Sequence, residues 1–319
     1  MKRIPFLPDT YTFLLIGTVG LASLLPASGT FAVALKYITV AAIALLFFLH
    51  GAKLPRQAII DGVTHWRLHA LILSCTFLLF PVMGFALRPL LQPMINHELY
   101  LGVLYLCMLP ATVQSAVALT SIAGGNVPAS VCSASFSTLL GILITPFLVN
   151  GLITSTMGSA STFDSIVQIF MQLMLPFLAG HLLRPYFDTL FKRAGKLLSF
   201  VDRGAILLVI YSAFSAAVVG GLWQKISWEM IAGLLVISFI LLILSMIYVY
   251  GLAIWFGFNR EDRITALFGG AQKSLATGVP MSQVLFSAAT AGVIVLPLML
   301  FHLLQLIISS MIAQKLKRQ

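Results

Sequence analysis

Ten apolar runs, joined by connections too short to fold on their own, dominate this 319-residue sequence. They fall at about 11–27, 31–50, 68–88, 99–122, 127–150, 164–185, 203–223, 229–257, 263–288 and 290–312. About 20 helical residues cross the hydrocarbon core of a bilayer. Inside that core only helices or closed barrels satisfy every backbone N–H and C=O. Runs of this length predict helices, so the expected fold is an all-α polytopic membrane protein with ten transmembrane helices and a lipid bilayer as its solvent. Composition agrees: 60% of residues are hydrophobic and 9% are charged, against about 25% charged in soluble domains.

The net charge of +10 would suit nucleic acid, but the placement of the charges argues against that partner. Fifteen of the nineteen Lys and Arg fall in alternate connections and at the two ends, whereas only Arg88 and Lys225 fall on the other side. This asymmetry predicts a multi-pass protein of the cell inner membrane with both termini cytoplasmic. The first run, with Lys2 and Arg3 ahead of it and Ala27-Ser28-Gly29 behind, has the outline of a signal peptide. It is read as a retained helix, since the internal symmetry needs it. The connection from Arg184 to Arg203 is read as carrying an amphipathic surface helix. Cys75, Cys107 and Cys132 lie inside apolar runs without a C-x-x-C pair, and read as packing residues.

The runs also divide into two sets of five. Leu25-Pro26 in run 1 matches Leu175-Pro176 in run 6, and Thr145-Pro146 in run 5 matches Leu296-Pro297 in run 10, at offsets of 150 and 151. Two halves of five helices must have opposite orientations. The expected domains are therefore a first repeat, residues 1–157, and a second, 158–319, forming one transporter unit. Such inverted repeats bind their solute where equivalent broken helices meet near the midplane. Here those are runs 4 and 9.

Run 9 contains Gly269-Gly270-Ala271-Gln272-Lys273-Ser274-Leu275-Ala276-Thr277-Gly278-Val279-Pro280-Met281. Gly278 loosens the helix and Pro280 removes an N–H and crowds the carbonyl of Ala276, so the break is expected there. Pro110 marks the corresponding break in run 4. Lys273 sits too deep to snorkel, and a lysine at that depth costs about 2.5–3.5 kcal/mol. All nine acidic residues fall at run ends or in loops, so Lys273 has no evident counter-ion. It is expected to face a polar interior and contact solute; the alternative is a structural lysine bonded to freed carbonyls. Lys36 is close enough to its run end to snorkel. Gln114, Ser115, Asn126, Ser130 and Ser135 add a hydroxyl- and amide-rich run, where helix packing is the alternative reading for the serines but Gln114 needs partners. His302 and Gln305 stand one turn apart and share a face. The sequence holds no H-E-x-x-H, P-loop or metal cluster, so no enzyme and no cofactor is expected.

The run Pro110-Ala111-Thr112-Val113-Gln114-Ser115 through Gly124-Gly125-Asn126, together with Gln272-Lys273-Ser274-Leu275-Ala276-Thr277-Gly278-Val279-Pro280-Met281, resembles the bile acid:sodium symporter family. Phe47-Phe48-Leu49-His50-Gly51-Ala52-Lys53-Leu54 resembles the branch of that family with a Lys-Ser-Leu-Ala-x-Gly-x-Pro-Met motif. The likeness runs through essentially the whole chain. It implies two inverted repeats, a panel and a core domain, and sodium-coupled uptake of a small organic anion. By motif it places sodium contacts at Gln272, Ser115 and Ser130, with Ser135 the alternative, and a sodium ion at Gln272 as the coupling ion; Gln114, Asn126, Lys273 and Ser274, polar residues at the two breaks, complete the expected ion or substrate contacts. The family's sodium-binding glutamate would fall near Phe268, its second amide on Lys273, and its asparagine on Ala116 or Val117. These departures imply that the Lys273 ammonium replaces one of two sodium ions. Two other classes remain open: a metalloid or small-anion exporter of related architecture, supported by Cys107 alone, and a non-transporting membrane regulator.

Overall fold

The computed structural model describes residues 10–53, 65–154, 170–193 and 195–317. The described residues form helices and no strand. Following the chain, α1 is Thr10–Leu24, α2 Gly29–Lys53, α3 Trp66–Ala86, α4 His97–Met108, α5 Gln114–Ala123 and α6 Val127–Leu148. The second half holds α7 Leu175–Arg193, α8 Gly195–Val219, α9 Trp228–Trp255, α10 Arg260–Ala271, α11 Leu275–Leu285 and α12 Ala288–Lys317. The boundary expected between residues 157 and 158 lies outside the described residues.

Six of these helices are long and apolar enough to cross a membrane: α2, α3, α6, α8, α9 and α12. α4 and α5, of 12 and 10 residues, reach only about 18 and 15 Å apiece. α10 and α11, of 12 and 11 residues, are equally short. Runs 4 and 9 are therefore each divided into two short helices, as expected. The stretch expected as a separate surface helix after Arg184 is instead the last part of α7, which continues through Pro185 to Arg193.

The termini of these helices follow local chemistry. Asn96 caps α4 by accepting from Leu99 N (2.9 Å), Asn126 caps α6 through Ala129 N, Ser227 caps α9 through Met230 N, and Asn259 caps α10 through Asp262 N. α5 ends at Gly124, whose φ of 75° is left-handed, while Gly125 N bonds Thr120 O in a closing turn. α3 carries a wide turn at Cys75–Leu79, where Phe80 N bonds Cys75 O, five residues back. Pro81 follows it without an N–H to offer Thr76 O, the next carbonyl in that register.

Packing pairs α1 with α8 and α2 with α7. The α2–α7 contact is the closest of these, because Gly51 lies under the Phe177 carbonyl and Gly180 under the Phe48 carbonyl. Lys53 at the end of α2 bonds the buried Asp202 of α8 (2.9 Å), and His50 Nε2 lies 3.9 Å from the same carboxylate. Along most of α4, α10 and α11, and over residues 291–299 of α12, the burial is nearly complete. Both breaks lie in that region.

Candidate functional site: two interrupted helices in contact

At the first break, α4 stops at Met108, Leu109 turns extended (φ −78°, ψ 154°), and the chain re-enters a helix at Gln114. Pro110 cannot donate to Leu106, so the last carbonyls of α4 lose their intrahelical donors. Each finds another partner. Leu109 N bonds Leu106 O; Thr145 Oγ1 donates to Met108 O (2.7 Å); Lys273 Nζ donates to Cys107 O (3.0 Å) and Leu109 O (2.8 Å). Pro110 O accepts from Ser274 N (3.0 Å), and Ala111 N donates to Ser137 Oγ (3.0 Å). The Pro110 ring fits because Gly141 on α6 has no Cβ, which would stand 2.5 Å from it.

The second break is Gln272-Lys273-Ser274, with Gln272 extended (φ −103°, ψ 146°) and Ser274 capping α11 through Thr277 N (3.2 Å). The Gln305 side chain of α12 clamps it: Oε1 accepts from Lys273 N (2.8 Å) and Nε2 donates to Lys273 O (2.9 Å). A side-chain amide here replaces the backbone pairing that the interruption removes.

The break therefore lies ahead of Gly278 and Pro280, which corrects the expectation. Both residues sit inside α11 with ordinary helical backbone. Bonds from Gln305, Pro110 and the Ser274 cap fix the restart, and the helix tolerates the one ladder bond lost at Pro280. Gly278 serves close packing, since a Cβ would stand 2.5 and 2.6 Å from methyls of Leu109 and Leu298. Tyr105 Oη also donates to Gly278 O (2.6 Å), tying α4 to α11.

The side chains expected at the site divide into three groups. Ser115 and Gln272 meet, whereas the neighbouring Ser274 hydroxyl pairs with Thr277 and the Lys273 ammonium with backbone carbonyls. Ser115 Oγ donates to Gln272 Oε1 (2.7 Å) and also lies 3.2 Å from Thr112 Oγ1. Gln272 is fully buried, and its Nε2 has no hydrogen-bond partner among the described residues. Gln114 starts α5 beside them and is exposed at the surface of the helix bundle, not buried among partners as expected. The remaining residues are not part of this cluster. Asn126 caps α6, donates through Nδ2 to the buried Asp262 (2.9 Å) and pairs its backbone with Thr265, fastening the α5–α6 turn to α10. Ser130 accepts from Thr120 within the α5–α6 pair (3.3 Å), and Ser135 is buried on α6.

Lys273 is where expectation and structure differ most. It is 0% exposed and faces carbonyls rather than a polar cavity. Its ammonium donates to Thr76 O (2.8 Å) as well as to Cys107 O and Leu109 O, with the Phe80 ring centroid 4.1 Å away. Thr76 O is the carbonyl that Pro81 leaves without a donor. This is the geometry of the structural reading. Phe268, at the glutamate position implied by the resemblance, is fully buried. Cys107 is buried as well, with Sγ packed against Gly84, so the exporter reading loses its one support.

Sequence reasoning noted Gln305 only as a neighbour of His302; its i, i+3 spacing was the signal for it. Thr112 was passed over because a lone threonine beside a break carries none. α5 also begins without a side-chain cap: Val113 stands at the N-cap, and the first intrahelical bond is Val117 N to Val113 O. The N–H groups of Gln114, Ser115 and Ala116 precede that bond, at the end of α5 from which the Ser115 side chain reaches Gln272.

Comparison with known proteins gives a consistent result. The sequence model of the SBF-like CPA transporter family matches residues 9–318. An uncharacterized protein of Pseudomonas aeruginosa is 52% identical over 319 residues, covering 100% of this chain and 96% of the relative. The "Putative symporter YfeH" of Escherichia coli (strain K12) is 47% identical over 98% of this chain and 93% of its own. "Sodium/bile acid cotransporter 7" of Rattus norvegicus is 29% identical over 95% and 91%.

Proposed function

Because the chain belongs to the SBF-like CPA transporter family, we propose that it is a secondary active transporter that takes up a small organic anion together with sodium through the paired breaks. A multi-pass membrane protein of symporter type is what the family and the relatives indicate. The observation that carries the finer reading is the buried Gln272 amide, bonded through Oε1 to Ser115 at the uncapped start of α5 and left with an unpartnered Nε2. Helix N-termini attract anions through free N–H groups and the helix dipole, and an amide donor beside them suits a carboxylate. Thr112 Oγ1, Ser115 Oγ and Gln272 Oε1 form a contiguous set of neutral oxygens on the same site. These hard donors would take sodium, putting cation and anion side by side, which makes co-transport self-neutralising.

The architecture proposed with it is two inverted five-helix repeats, 1–157 and 158–319, with the breaks crossing in the core, in the inner membrane with both termini cytoplasmic. α1 packs on α8 as α2 packs on α7. An axis exchanging the halves requires such a pairing, first helix with second and second with first. Each half also carries an interrupted helix followed by a long one with an internal proline, Pro146 in α6 and Pro297 in α12.

Proteoliposomes test the function directly. An inward sodium gradient should drive accumulation of a carboxylate probe such as cholate, and an equal potassium gradient should not. Sodium should also raise the apparent Tm of the purified protein by about 3 °C, in line with mass-action stabilisation, and Gln272→Ala should abolish that rise. Equal behaviour in sodium and potassium by both measures would remove sodium coupling from the reading.

A further inference from the structure

We propose that the Lys273 ammonium is a built-in monovalent cation in a carbonyl cage, and that shortening the side chain turns the cage into a binding site for a free cation of ammonium or potassium size. Three observations lead there. The cage is made of backbone oxygens from three separate stretches, Thr76 on α3, Cys107 on α4 and Leu109 at the first break, each 2.8–3.0 Å from Nζ. None of these oxygens has a hydrogen to give, so all three bonds use protons of the nitrogen, which must then carry three. The face of Phe80, 4.1 Å away, adds the negative side of an aromatic quadrupole.

No carboxylate takes part. The buried carboxylate of Asp202 pairs with Lys53 and His50, on other helices. A full positive charge is therefore balanced by peptide dipoles and a ring alone, which is how carbonyl-lined sites hold potassium-like ions. The carbonyls are available because their own helices cannot use them: Pro81 has no N–H to offer Thr76 in the wide turn, Ala111 N turns from Cys107 to Ser137 Oγ, and Leu109 is extended beyond the end of α4. The lysine arrives on the second break, where Gln305 fixes its backbone. Tethering the cation makes the joint between α3, α4 and the second break permanent. The joint then needs no ion from solution, and this holds whichever solute the protein carries.

The test uses the full chain in detergent, wild type beside Lys273→Ala and Lys273→Met, in chloride salts of ammonium, potassium, sodium or N-methylglucamine at equal ionic strength. In N-methylglucamine both variants should lose about 10 °C of apparent Tm, since three buried carbonyls lose their donor. Ammonium and potassium should restore at least about half of that loss in Lys273→Ala, saturably, with sodium less effective. Lys273→Met, which fills the space without charge, should not respond, and the wild type should change little between ammonium and N-methylglucamine. A Lys273→Ala protein indifferent to the cation would overturn the proposal, as would a response of equal size in the wild type, which belongs to another site. If Lys273→Ala does not survive purification in N-methylglucamine, yield is compared with purification in ammonium throughout. Equal failure in both overturns the proposal; recovery only in ammonium supports it.

Discussion

At the scale of single residues, the site depends on side chains that stand in for missing backbone bonds. Gln305 is the clearest, pairing with both the N–H and the C=O of Lys273. Replacing it by Leu leaves two buried backbone groups without partners, each costing about 1–3 kcal/mol. Gln305→Leu is therefore expected to lower the apparent Tm more than any surface substitution, as measured by thermal unfolding in detergent. Asn126 provides the contrast. Asn126→Ala removes a helix cap and the bond to Asp262, a loss of about 1–2 kcal/mol, but leaves Gln272 and Ser115 untouched. It should reduce stability while sodium-induced stabilisation of the folded protein persists; loss of the sodium response would return Asn126 to the site. The sequence made Lys273 and Gln272 visible because such residues are costly in an apolar run. It could not show which way they face. The oxygens around Nζ come from residues more than 160 positions away along the chain, and Asn126 and Gln114 read alike on paper despite opposite surroundings.

At the scale of helices, close approach is decided by glycines that look interchangeable in the sequence. A Cβ at Gly51 would overlap the Phe177 carbonyl, and one at Gly180 the Phe48 carbonyl, so Gly51→Ala and Gly180→Ala must push α2 and α7 apart. A loss of about 3 kcal/mol is expected for either, at the upper end for overpacking. Gly17 and Gly20 on α1 have nothing within 4 Å of such a carbon. Gly17→Ala should be neutral or stabilising by up to about 1 kcal/mol, from helix propensity. Unfolding of all three variants in the same detergent measures the difference. The same limit explains the misplaced second break. Gly278 and Pro280 are helix breakers by local rule, yet the bonds that end α10 and restart α11 come from Pro110 and Gln305, on other helices.

At the scale of the whole molecule, the buried Asp202 joins the ends of α2 and α8 through Lys53. Lys53→Met would leave that carboxylate, 3% exposed, without its cation. The lysine is itself partly exposed, so the loss is that of one hydrogen bond to a charged group, about 1.5–3 kcal/mol; a lower folded yield is expected, with Lys53→Arg restoring most of it. Orientation has its own test. A fluorescent protein that folds only in the cytoplasm, fused after Gln319, should fluoresce in intact cells if the positive-inside reading holds. A dark, periplasmic fusion would invert the topology. The sequence by itself determined the membrane class and the two interrupted runs, because apolar length and a cluster of polar residues inside an apolar run act locally and need no partner to be read. The tertiary structure alone decided where each freed carbonyl found its donor and which amide was left without one. Those pairings join residues distant in the chain, and a buried polar group is satisfied or stranded only by what the fold brings within about 3 Å of it.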